Sequence, residues 1–322
     1  MAESELFKIS NKSLKKDLET IINYKDPIKL KDIIYDSPSD MKEATRASSG
    51  KALNAISDIY PFLIGGSADV CKSTNAKINS SSAFSNNYPL GRNINFGIRE
   101  HAMGAIANGI ALTGLTPFAS TFFSFSDYLK PSIRMSALMD LPVIYVFTHD
   151  SITVGEDGPT HQPVEQLISL RSTPNLDVYR PADANEVIGC YKAIFENRKP
   201  AAIVLGRNKV EINEFTNINE TMNGGYILSK ERKNIDAVII TTGEEVNLTC
   251  KIKKELESKG IDIRIVSMPS IEVFERQDDK YKESIIPKDV KTFVIEASSS
   301  YSWYKYVKDD NYLFTVNSFG YS

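Results

Sequence analysis

The sequence predicts an α/β protein of two three-layer domains, each with helices on both faces of a mostly parallel sheet. Short apolar runs rich in Val and Ile alternate with longer segments whose apolar residues have helical spacing. The alternation stops at a polar stretch over residues 211–224, predicted to be a linker, and then resumes. We therefore expect a first domain over residues 45–210 and a smaller one over residues 225–322.

The composition is that of a soluble globular protein. Hydrophobic residues make up 42% and charged residues 25% of the 322 residues, which allows two packed cores. The net charge of -3 gives no basis for nucleic-acid binding, and no apolar run has the length of a membrane span. Three scattered cysteines favour a reducing compartment over a disulfide framework. We therefore expect a cytoplasmic protein.

Residues 1–44 are predicted to form an arm or linker and not a domain. Prolines interrupt this polar stretch, and one short helix with a narrow apolar stripe is expected in it, carried by Leu14, Leu18, Ile21 and Ile22. Its lysines are balanced by Asp and Glu, so it is predicted to be a solvated surface and not a basic arm.

The first domain is predicted to alternate helices and strands from residue 47 onward. Small residues at helical spacing after Gly97 indicate a tightly packed helix, and Asp183 is suited to begin another. Residues 72–92, rich in Ser and Asn, are predicted to be irregular. The predicted helices are 47–59, 98–112, 125–139, 164–170 and 184–196, and the predicted strands are 61–66, 93–97, 117–122, 142–148, 176–179 and 201–205.

The second domain is predicted to repeat this alternation on a smaller scale. A helix over residues 244–258 is followed by Gly260, a residue that commonly ends helices. The predicted strands are 237–241, 261–266, 291–296 and 312–316. We expect this domain to be shortened, because no closing helix follows the last strand.

The stretch from residue 148 to 163 is the strongest candidate for a functional loop. It follows a predicted buried strand, so it lies at the carboxyl end of that strand, where open α/β sheets bind ligands. His149, Asp157 and His161 lie in it, and they could bind zinc, although their spacing matches no compact metal motif. They could instead bond the hydroxyls of a sugar and transfer protons. Two histidines with carboxylates nearby in the sequence favour a functional loop over a surface loop without a role.

Glu100 lies at the predicted start of a helix. A carboxylate there commonly interacts with the helix dipole and has no further role. The alternative is a carboxylate against an apolar wall, which can keep a proton or share one with a ligand nitrogen. The residues alone leave both interpretations open.

Three aromatic residues are spaced across a strand end and the following helix start: Phe122, Phe125 and Tyr128. Aromatic residues at this spacing usually belong to a core, and the alternative is a wall on which a flat ring stacks. Arg46, Ser73 and Arg207 are each weak signals, because most arginines lie on the surface. Arg207 follows a predicted strand, however, so it lies at the same edge as the 148–163 loop, where a guanidinium suits a phosphate.

Together these residues resemble those of a transketolase, and the resemblance covers roughly residues 44–320. Six segments carry it: Gly65-Gly66-Ser67-Ala68-Asp69, residues 96–104, residues 148–166, Arg180-Pro181-Ala182-Asp183, Thr242-Gly243-Glu244-Glu245-Val246 and Val266-Ser267-Met268-Pro269-Ser270. The resemblance implies a pyrimidine-binding domain and a transketolase carboxyl-terminal domain. It also implies transfer of a two-carbon ketol unit between sugar phosphates of the xylulose 5-phosphate and ribose 5-phosphate class.

The resemblance assigns a role to each candidate residue. It implies that Glu100 pairs with the aminopyrimidine nitrogen of thiamine diphosphate, and that Asp69 lies near the reacting centre and a subunit interface. The wall for the pyrimidine would be Phe122, Phe125 and Tyr128. The sugar would be bound by His149, Asp157 and His161, with catalytic roles for both histidines and Glu100, and its phosphate by Arg46, Ser73 and Arg207 with His161 nearby.

The sequence departs from the family in one important respect. No Gly-Asp-Gly run with a following Asn, the family's signature for magnesium and diphosphate, is present. We therefore expect Mg²⁺ (or Ca²⁺) and the diphosphate to be held by a separate subunit, and no metal by this chain. Homodimer contacts would complete a two-plus-two complex. Cys71-Lys72 also replaces the pair expected after Asp69.

Other interpretations remain open at this point. One is a related thiamine-diphosphate enzyme, either a deoxyxylulose-phosphate synthase or the β subunit of a 2-oxoacid dehydrogenase. Another is a non-catalytic, truncated or regulatory relative. A zinc hydrolase built on His149 and His161 is a third.

Overall fold

The computed structural model describes residues 42–321, together with Lys12, Lys15 and Lys16. Of the predicted arm, only these three lysines and residues 42–44 are described, and the three lysines are helical. The rest of the arm lies outside the described residues. In the described part of the chain, no helix is both long enough and apolar enough to cross a membrane.

The first half of the chain alternates strands and helices as predicted. In chain order its elements are β1 (Lys42–Ala44), α1 (Thr45–Ile59), β2 (Leu63–Ser67), α2 (Cys71–Thr74), β3 (Asn93–Asn95), α3 (Glu100–Ala111), β4 (Thr116–Phe122), α4 (Ser126–Leu138), β5 (Ile144–Thr148), α5 (Gln166–Arg171), β6 (Asp177–Tyr179), α6 (Ala184–Asn197) and β7 (Ala201–Leu205). Asp183 begins α6 as predicted, because its side chain accepts a hydrogen bond from the amide of Glu186 at 3.1 Å.

Six of these strands form one sheet in the order β3-β2-β4-β5-β7-β6, and every neighbouring pair is parallel. Strands such as β5 and β7 are buried along their whole length, which explains why their sequences are continuous apolar runs. Separate apolar clusters cover the two faces of the sheet. The strand order reverses between β2 and β4, and this switch point lies beside the candidate residues.

The second half contains a five-stranded sheet in the order β13-β12-β10-β11-β9. Its elements, with those that precede it, are β8 (Lys209–Glu211), α7 (Ile218–Thr221), β9 (Tyr226–Ser229), β10 (Ala237–Thr241), α8 (Glu245–Ser258), β11 (Ile263–Ser267), α9 (Ile271–Glu275), α10 (Asp279–Ile285), β12 (Lys291–Glu296) and β13 (Leu313–Thr315). Only β9 is antiparallel to its neighbour. The α/β class with mostly parallel sheets, predicted for both halves, is thus confirmed.

Residues 211–224, predicted as a polar linker, contain regular structure. β8 ends within this segment and pairs antiparallel with β1, and α7 lies in its middle. Asn217 begins α7 by accepting hydrogen bonds from the amides of Asn219 and Glu220.

Buried polar contacts join the two halves. Glu186 of α6 accepts hydrogen bonds from the hydroxyls of Tyr226 and Ser267 in the second sheet. Arg276 donates to both carboxylate oxygens of Asp177 at 2.6 and 2.7 Å, a bidentate pair between the halves. Because buried polar groups are costly when unpaired, these contacts fix how the second half sits against the first.

Candidate active site

The loops that follow four parallel strands bring most of the candidate residues to one edge of the six-stranded sheet. Asp69 lies two residues after β2, Phe122 ends β4, His149 directly follows β5 and Arg207 lies two residues after β7. The carboxyl ends of parallel strands lie at the same edge, next to the switch point. The topology therefore assembles residues that are up to 138 positions apart in the sequence.

Tight turns shape the 148–163 loop. Ser151 caps a short 3-10 turn over Ile152–Val154 through its side-chain oxygen. The side-chain amide of Gln162 donates to the carbonyl of Gly155 at 2.9 Å and so closes the loop on itself. Gly158 is buried at φ +77°, a conformation that favours glycine.

The two loop histidines pack against the aromatic residues. The His149 ring centroid lies 4.0 Å from that of Phe122, and the His161 ring lies 5.2 Å from Phe125. Phe122 and Phe125 stack at 6.1 Å with an interplanar angle of 22°. Tyr128 extends the group at 6.0 Å from Phe125 and is 64% exposed, so these rings form a wall that is open to a ligand.

His149 is held in an unusual conformation and is electrically neutral near pH 7. Its φ is +65°, and only 4% of the residue is exposed. Burial, and to a smaller extent the nearby cations Arg46 and Arg207, lower its pKa to about 4. Its Nδ1 lies 2.8 Å from the hydroxyl of Thr148. The neutral ring can both donate and accept a proton, whereas an imidazolium could only donate.

The three predicted phosphate-binding residues lie together. The Arg46 guanidinium donates to the Ser73 carbonyl at 2.7 Å, and the Arg46 amide donates to the carbonyl of Gly206, which precedes Arg207. Burial lowers the pKa of Arg46, and the charge of Arg207 lowers it as well. Two guanidiniums that repel each other favour an anion that binds near both.

Asp157 and His161 lie beside this cationic pair. An oxygen of Asp157 is 3.3 Å from Nη1 of Arg207, and both side chains are more than a third exposed. An exposed ion pair of this kind is weak, so it can yield to a ligand. Nδ1 of His161 lies 2.9 Å from the hydroxyl of Thr160.

Asp69 borders an open cavity of about 320 Å³ at the ends of β2 and β3, close in the chain to Glu100. Asp69, Ser73 and Gly97 line it, and Glu100 follows three residues after Gly97 as the first residue of α3. Glu100 is buried to 9% exposure, yet no hydrogen bond or ion pair within residues 42–321 occupies its carboxylate. The pairing of Glu100 with the aminopyrimidine nitrogen stays a prediction.

A metal site finds no support in the described residues. They contain no group of three or more His, Cys, Asp or Glu side chains that could hold a metal ion. The zinc alternative for His149, Asp157 and His161 therefore has no geometric basis there.

Sequence reasoning missed a buried ionic network behind the loop. Arg180, fully buried, contacts Asp150 at 2.7 Å and also pairs with Glu245 of the second half. Arg171 holds Glu296 with two hydrogen bonds of 2.9 Å. Asp150, Arg180 and Glu245 lie in segments that carry the family resemblance, whereas Arg171 and Glu296 do not. Single charges in a sequence carry no signal of burial.

Comparison with known protein families agrees with this geometry. Residues 41–212 match the family described as "Transketolase, pyrimidine binding domain", and residues 224–322 match "Transketolase-like TK C-terminal domain". The chain belongs to the transketolase family. The resemblance in the sequence is thereby confirmed for both halves.

Transketolase relatives are similar over almost the whole chain. A probable transketolase of Streptococcus pneumoniae is 44% identical over 318 residues, which are 98% of this chain and 48% of that protein. A transketolase of Halalkalibacterium halodurans is 48% identical over 86% of this chain and 42% of its own length. The chain thus spans about half the length of these relatives.

Solved transketolases have the same fold. The transketolase of Pichia stipitis in complex with sedoheptulose 7-phosphate superposes with a TM-score of 0.91 at 38% identity, covering 96% of this chain and 47% of that one. A chain described as a split-gene transketolase, an inactive β4 tetramer, superposes with a TM-score of 0.63 at 29% identity. That match covers 79% of this chain and 80% of the other.

Proposed function

We propose that this chain forms the pyrimidine-binding and sugar-phosphate-binding half of a transketolase active site. The reaction would be transfer of a two-carbon ketol unit between sugar phosphates. The observation that carries the proposal is the convergence of the aromatic wall, two histidines and the Arg46–Ser73–Arg207 group at one sheet edge. The proposed units are an arm (1–44), a pyrimidine-binding domain (45–210), a linker (211–224) and a carboxyl-terminal domain (225–322).

The residues of the site fit the pyrimidine of thiamine diphosphate. The open wall of Phe122, Phe125 and Tyr128 offers ring faces to a flat heterocycle. Glu100 is a buried carboxylate with unused hydrogen-bonding capacity, suited to share a proton with a ring nitrogen. Thiamine diphosphate, when bound, supplies the electron sink for breaking the carbon–carbon bond.

The histidines and Asp157 would act on the sugar. Neutral His149 can accept a proton from a sugar hydroxyl and return it, since its pKa of about 4 leaves it unprotonated near neutral pH. His161, partly exposed at the rim, would bond a hydroxyl or the phosphate. Asp157 would accept a hydrogen bond from a hydroxyl once its weak pair with Arg207 opens.

The phosphate would lie between Arg46 and Arg207. Their planar donor groups suit phosphate oxygens, and the phosphate charge would relieve the repulsion between the two guanidiniums. Ser73 would add a hydroxyl from α2. The phosphate thereby fixes one end of the sugar, and the reacting carbons reach toward His149 and the aromatic wall.

The diphosphate and its Mg²⁺ or Ca²⁺ would be held by a separate subunit. Such an arrangement is supported by the split-gene neighbour and by a strip of exposed apolar residues on and beside α3 and α4. This strip consists of Ile98, Ile106, Leu112, Tyr128, Met135 and Leu138, with exposures of 43–79%. We propose that it contacts the diphosphate-binding subunit and a second copy of this chain.

The test is an assay of ketol transfer from xylulose 5-phosphate to ribose 5-phosphate with thiamine diphosphate and Mg²⁺. The pure chain is compared with the chain purified together with its native partners. Activity only in the second sample is expected. Activity of the pure chain would contradict the separate subunit, and no activity in either sample would favour a non-catalytic relative. Activity with a 2-oxoacid alone would favour a related thiamine-diphosphate enzyme.

A further inference from the structure

A turn of the second half contacts the 148–163 loop through Arg180. This arginine, 0% exposed, donates from Nε to Oδ2 of Asp150 at 2.9 Å. Its Nη1 and Nη2 donate to the two carboxylate oxygens of Glu245, the first residue of α8. One guanidinium therefore links the second half to the residue that follows His149.

The turn before α8 is shaped around this guanidinium. Gly243 has φ +61°, and a Cβ on it would lie 2.6 Å from Cζ of Arg180. The Gly243 amide and the Thr242 hydroxyl both donate to the Arg180 carbonyl, at 3.2 and 2.9 Å. Only glycine satisfies both the backbone angle and the close approach.

Asp150, which Arg180 holds, directly follows His149 in the chain. A histidine at positive φ is uncommon, and such a conformation persists only where its surroundings hold it. On one side the Phe122 ring packs against the His149 ring. On the other side, Arg180 fixes the next residue along the chain, so the backbone of His149 is held from both directions.

Glu244 makes a second contact, on the loop that carries Arg207. It accepts a hydrogen bond from the Asn208 side chain at 3.1 Å. A Cβ on Gly206 would lie 2.2 Å from Oε1 of Glu244, so this carboxylate packs directly against the backbone before Arg207. The residues on both sides of Arg207 thus touch one side chain of the second half.

We infer that the Gly243–Glu245 turn positions the sugar-binding residues from outside the substrate cleft. Glu245 holds His149 through Arg180 and Asp150, and Glu244 holds the backbone around Arg207. Both glutamates are positioning residues, because they touch the supports of the site and not the ligand. The inference rests on the proposed function only in that His149 and Arg207 are the residues that would meet the sugar phosphate.

The protonation of His149 reports this positioning directly. The chain has three histidines, so carbon-13 labelled histidine gives three ring signals, which His101→Asn, His149→Asn and His161→Asn variants assign. The charged groups that act on His149 are Arg46 and Arg207, which lower its pKa, and Asp157 and Asp150, which raise it. A loosened loop would let water reach the ring and raise its pKa from about 4 toward the ordinary 6.5.

The experiment titrates His149 by NMR in the full chain. Glu245→Gln keeps the side-chain shape and is expected to raise the His149 pKa by about one unit or more. Glu186→Gln is the matched control, since Glu186 is also a buried carboxylate between the halves but contacts Tyr226 and Ser267 instead. It should leave the His149 titration unchanged.

Two outcomes would overturn the inference. One is an unchanged His149 titration in folded Glu245→Gln, and the other is an equal shift in Glu186→Gln. If Glu245→Gln does not unfold cooperatively, Arg180→Lys, which keeps the charge but loses the two-pronged contact, is measured for the same shift.

A kinetic measurement on the assembled enzyme tests the contact that Glu244 makes around Arg207. Glu244→Ala removes both the acceptor for Asn208 and the side chain that packs against Gly206. It should raise KM for the phosphorylated ketose about fivefold or more with a smaller change in kcat, because positioning of Arg207 affects binding. An unchanged KM would contradict the positioning role of Glu244. A shifted His149 titration without any ketol transfer would support the positioning inference and contradict the proposed function.

Discussion

At the scale of single residues, the protonation state of His149 is the clearest consequence of the fold. Folded His149 loses its proton near pH 4, whereas in the unfolded chain the value is near 6.5. Between these values the unfolded state binds more protons, so stability is complete above about pH 6.5 and falls as the pH drops toward 4. We predict that His149→Asn flattens this part of the pH–stability curve, measured by urea unfolding between pH 7 and 5.

The control for this prediction is His101→Asn. His101 is exposed on α3, and its Nδ1 lies 3.1 Å from the hydroxyl of Ser132. It should leave the slope unchanged. A wild-type slope in His149→Asn would show that other groups cause the loss of stability at low pH.

Arg207 should discriminate phosphorylated from unphosphorylated sugars. Loss of a charge-assisted hydrogen bond costs about 1.5–3 kcal/mol, so Arg207→Gln should raise KM for xylulose 5-phosphate roughly 10- to 100-fold. For free xylulose, KM should change little, because no phosphate is present. Steady-state ketol transfer by the assembled enzyme measures both.

Arg232→Gln is the matched control. Arg232 lies on the surface of the second half and pairs with Glu257. Equal effects of Arg207→Gln on both sugars would place the phosphate elsewhere.

The sequence predicted which residues would meet at the sheet edge, but not the contacts that support them. His149, His161 and the aromatic residues are recognisable because their types suit a sugar and a flat ring. Arg180 and Glu245 are not, since their importance comes from burial and from contacts 65 residues apart in the chain. Such contacts leave no local pattern in a sequence.

At the scale of elements, the packing of α3 against α4 depends on small residues. A Cβ on Gly104 would lie 2.7 Å from the Cβ of Ser132 and 3.0 Å from a methyl carbon of Leu129. Gly104→Ala should therefore destabilise the chain by about 1–3 kcal/mol through overpacking. Thermal or urea unfolding of the pure chain measures this loss.

Gly109 on the same helix provides the opposite case. A Cβ there would meet nothing within 4 Å. Gly109→Ala should stabilise the chain by about 0.5–1 kcal/mol, because alanine restricts the unfolded chain and favours the helix. Destabilisation by both substitutions to a similar extent would contradict the packing argument.

Elements with a strong period were predictable, and several short elements were not. The helix predicted at 184–196 is observed at Ala184–Asn197, and the strand predicted at 201–205 is observed unchanged. β1 and β8 were missed, because each forms only by pairing with the other. α9 and α10 were missed because they are short and follow no long apolar period.

At the scale of the whole molecule, the exposed apolar strip on α3 and α4 predicts assembly. Leu138, 68% exposed at the end of α4, lies in it. Leu138→Glu should weaken assembly at least about tenfold, since a charge in an apolar interface is left without a partner. Sedimentation velocity over a concentration series measures the effect on the complex with the native partners.

Leu248→Glu is the matched control. Leu248 is 51% exposed on α8, outside the strip. It should leave assembly and unfolding unchanged. Assembly of Leu138→Glu at wild-type strength would remove the strip from the proposed interface.

The architecture as a whole could be predicted from the alternation of strand and helix patterns in the sequence. The way the two halves pack against each other could not. Parallel strands place their loops at one edge by rule, so the site could be located before any coordinates were known. The contacts of Glu186 and Arg276 between the halves depend on three-dimensional complementarity that no spacing encodes.

The most direct test of ketol transfer at this site is the rate of the assembled enzyme with Glu100→Gln. Gln keeps the shape of Glu100 but cannot share a proton, so the rate from xylulose 5-phosphate to ribose 5-phosphate should fall by about 10²–10⁴-fold. Glu196→Gln, at an exposed glutamate near the end of α6, should retain the full rate. A Glu100→Gln enzyme within twofold of wild type would contradict the account.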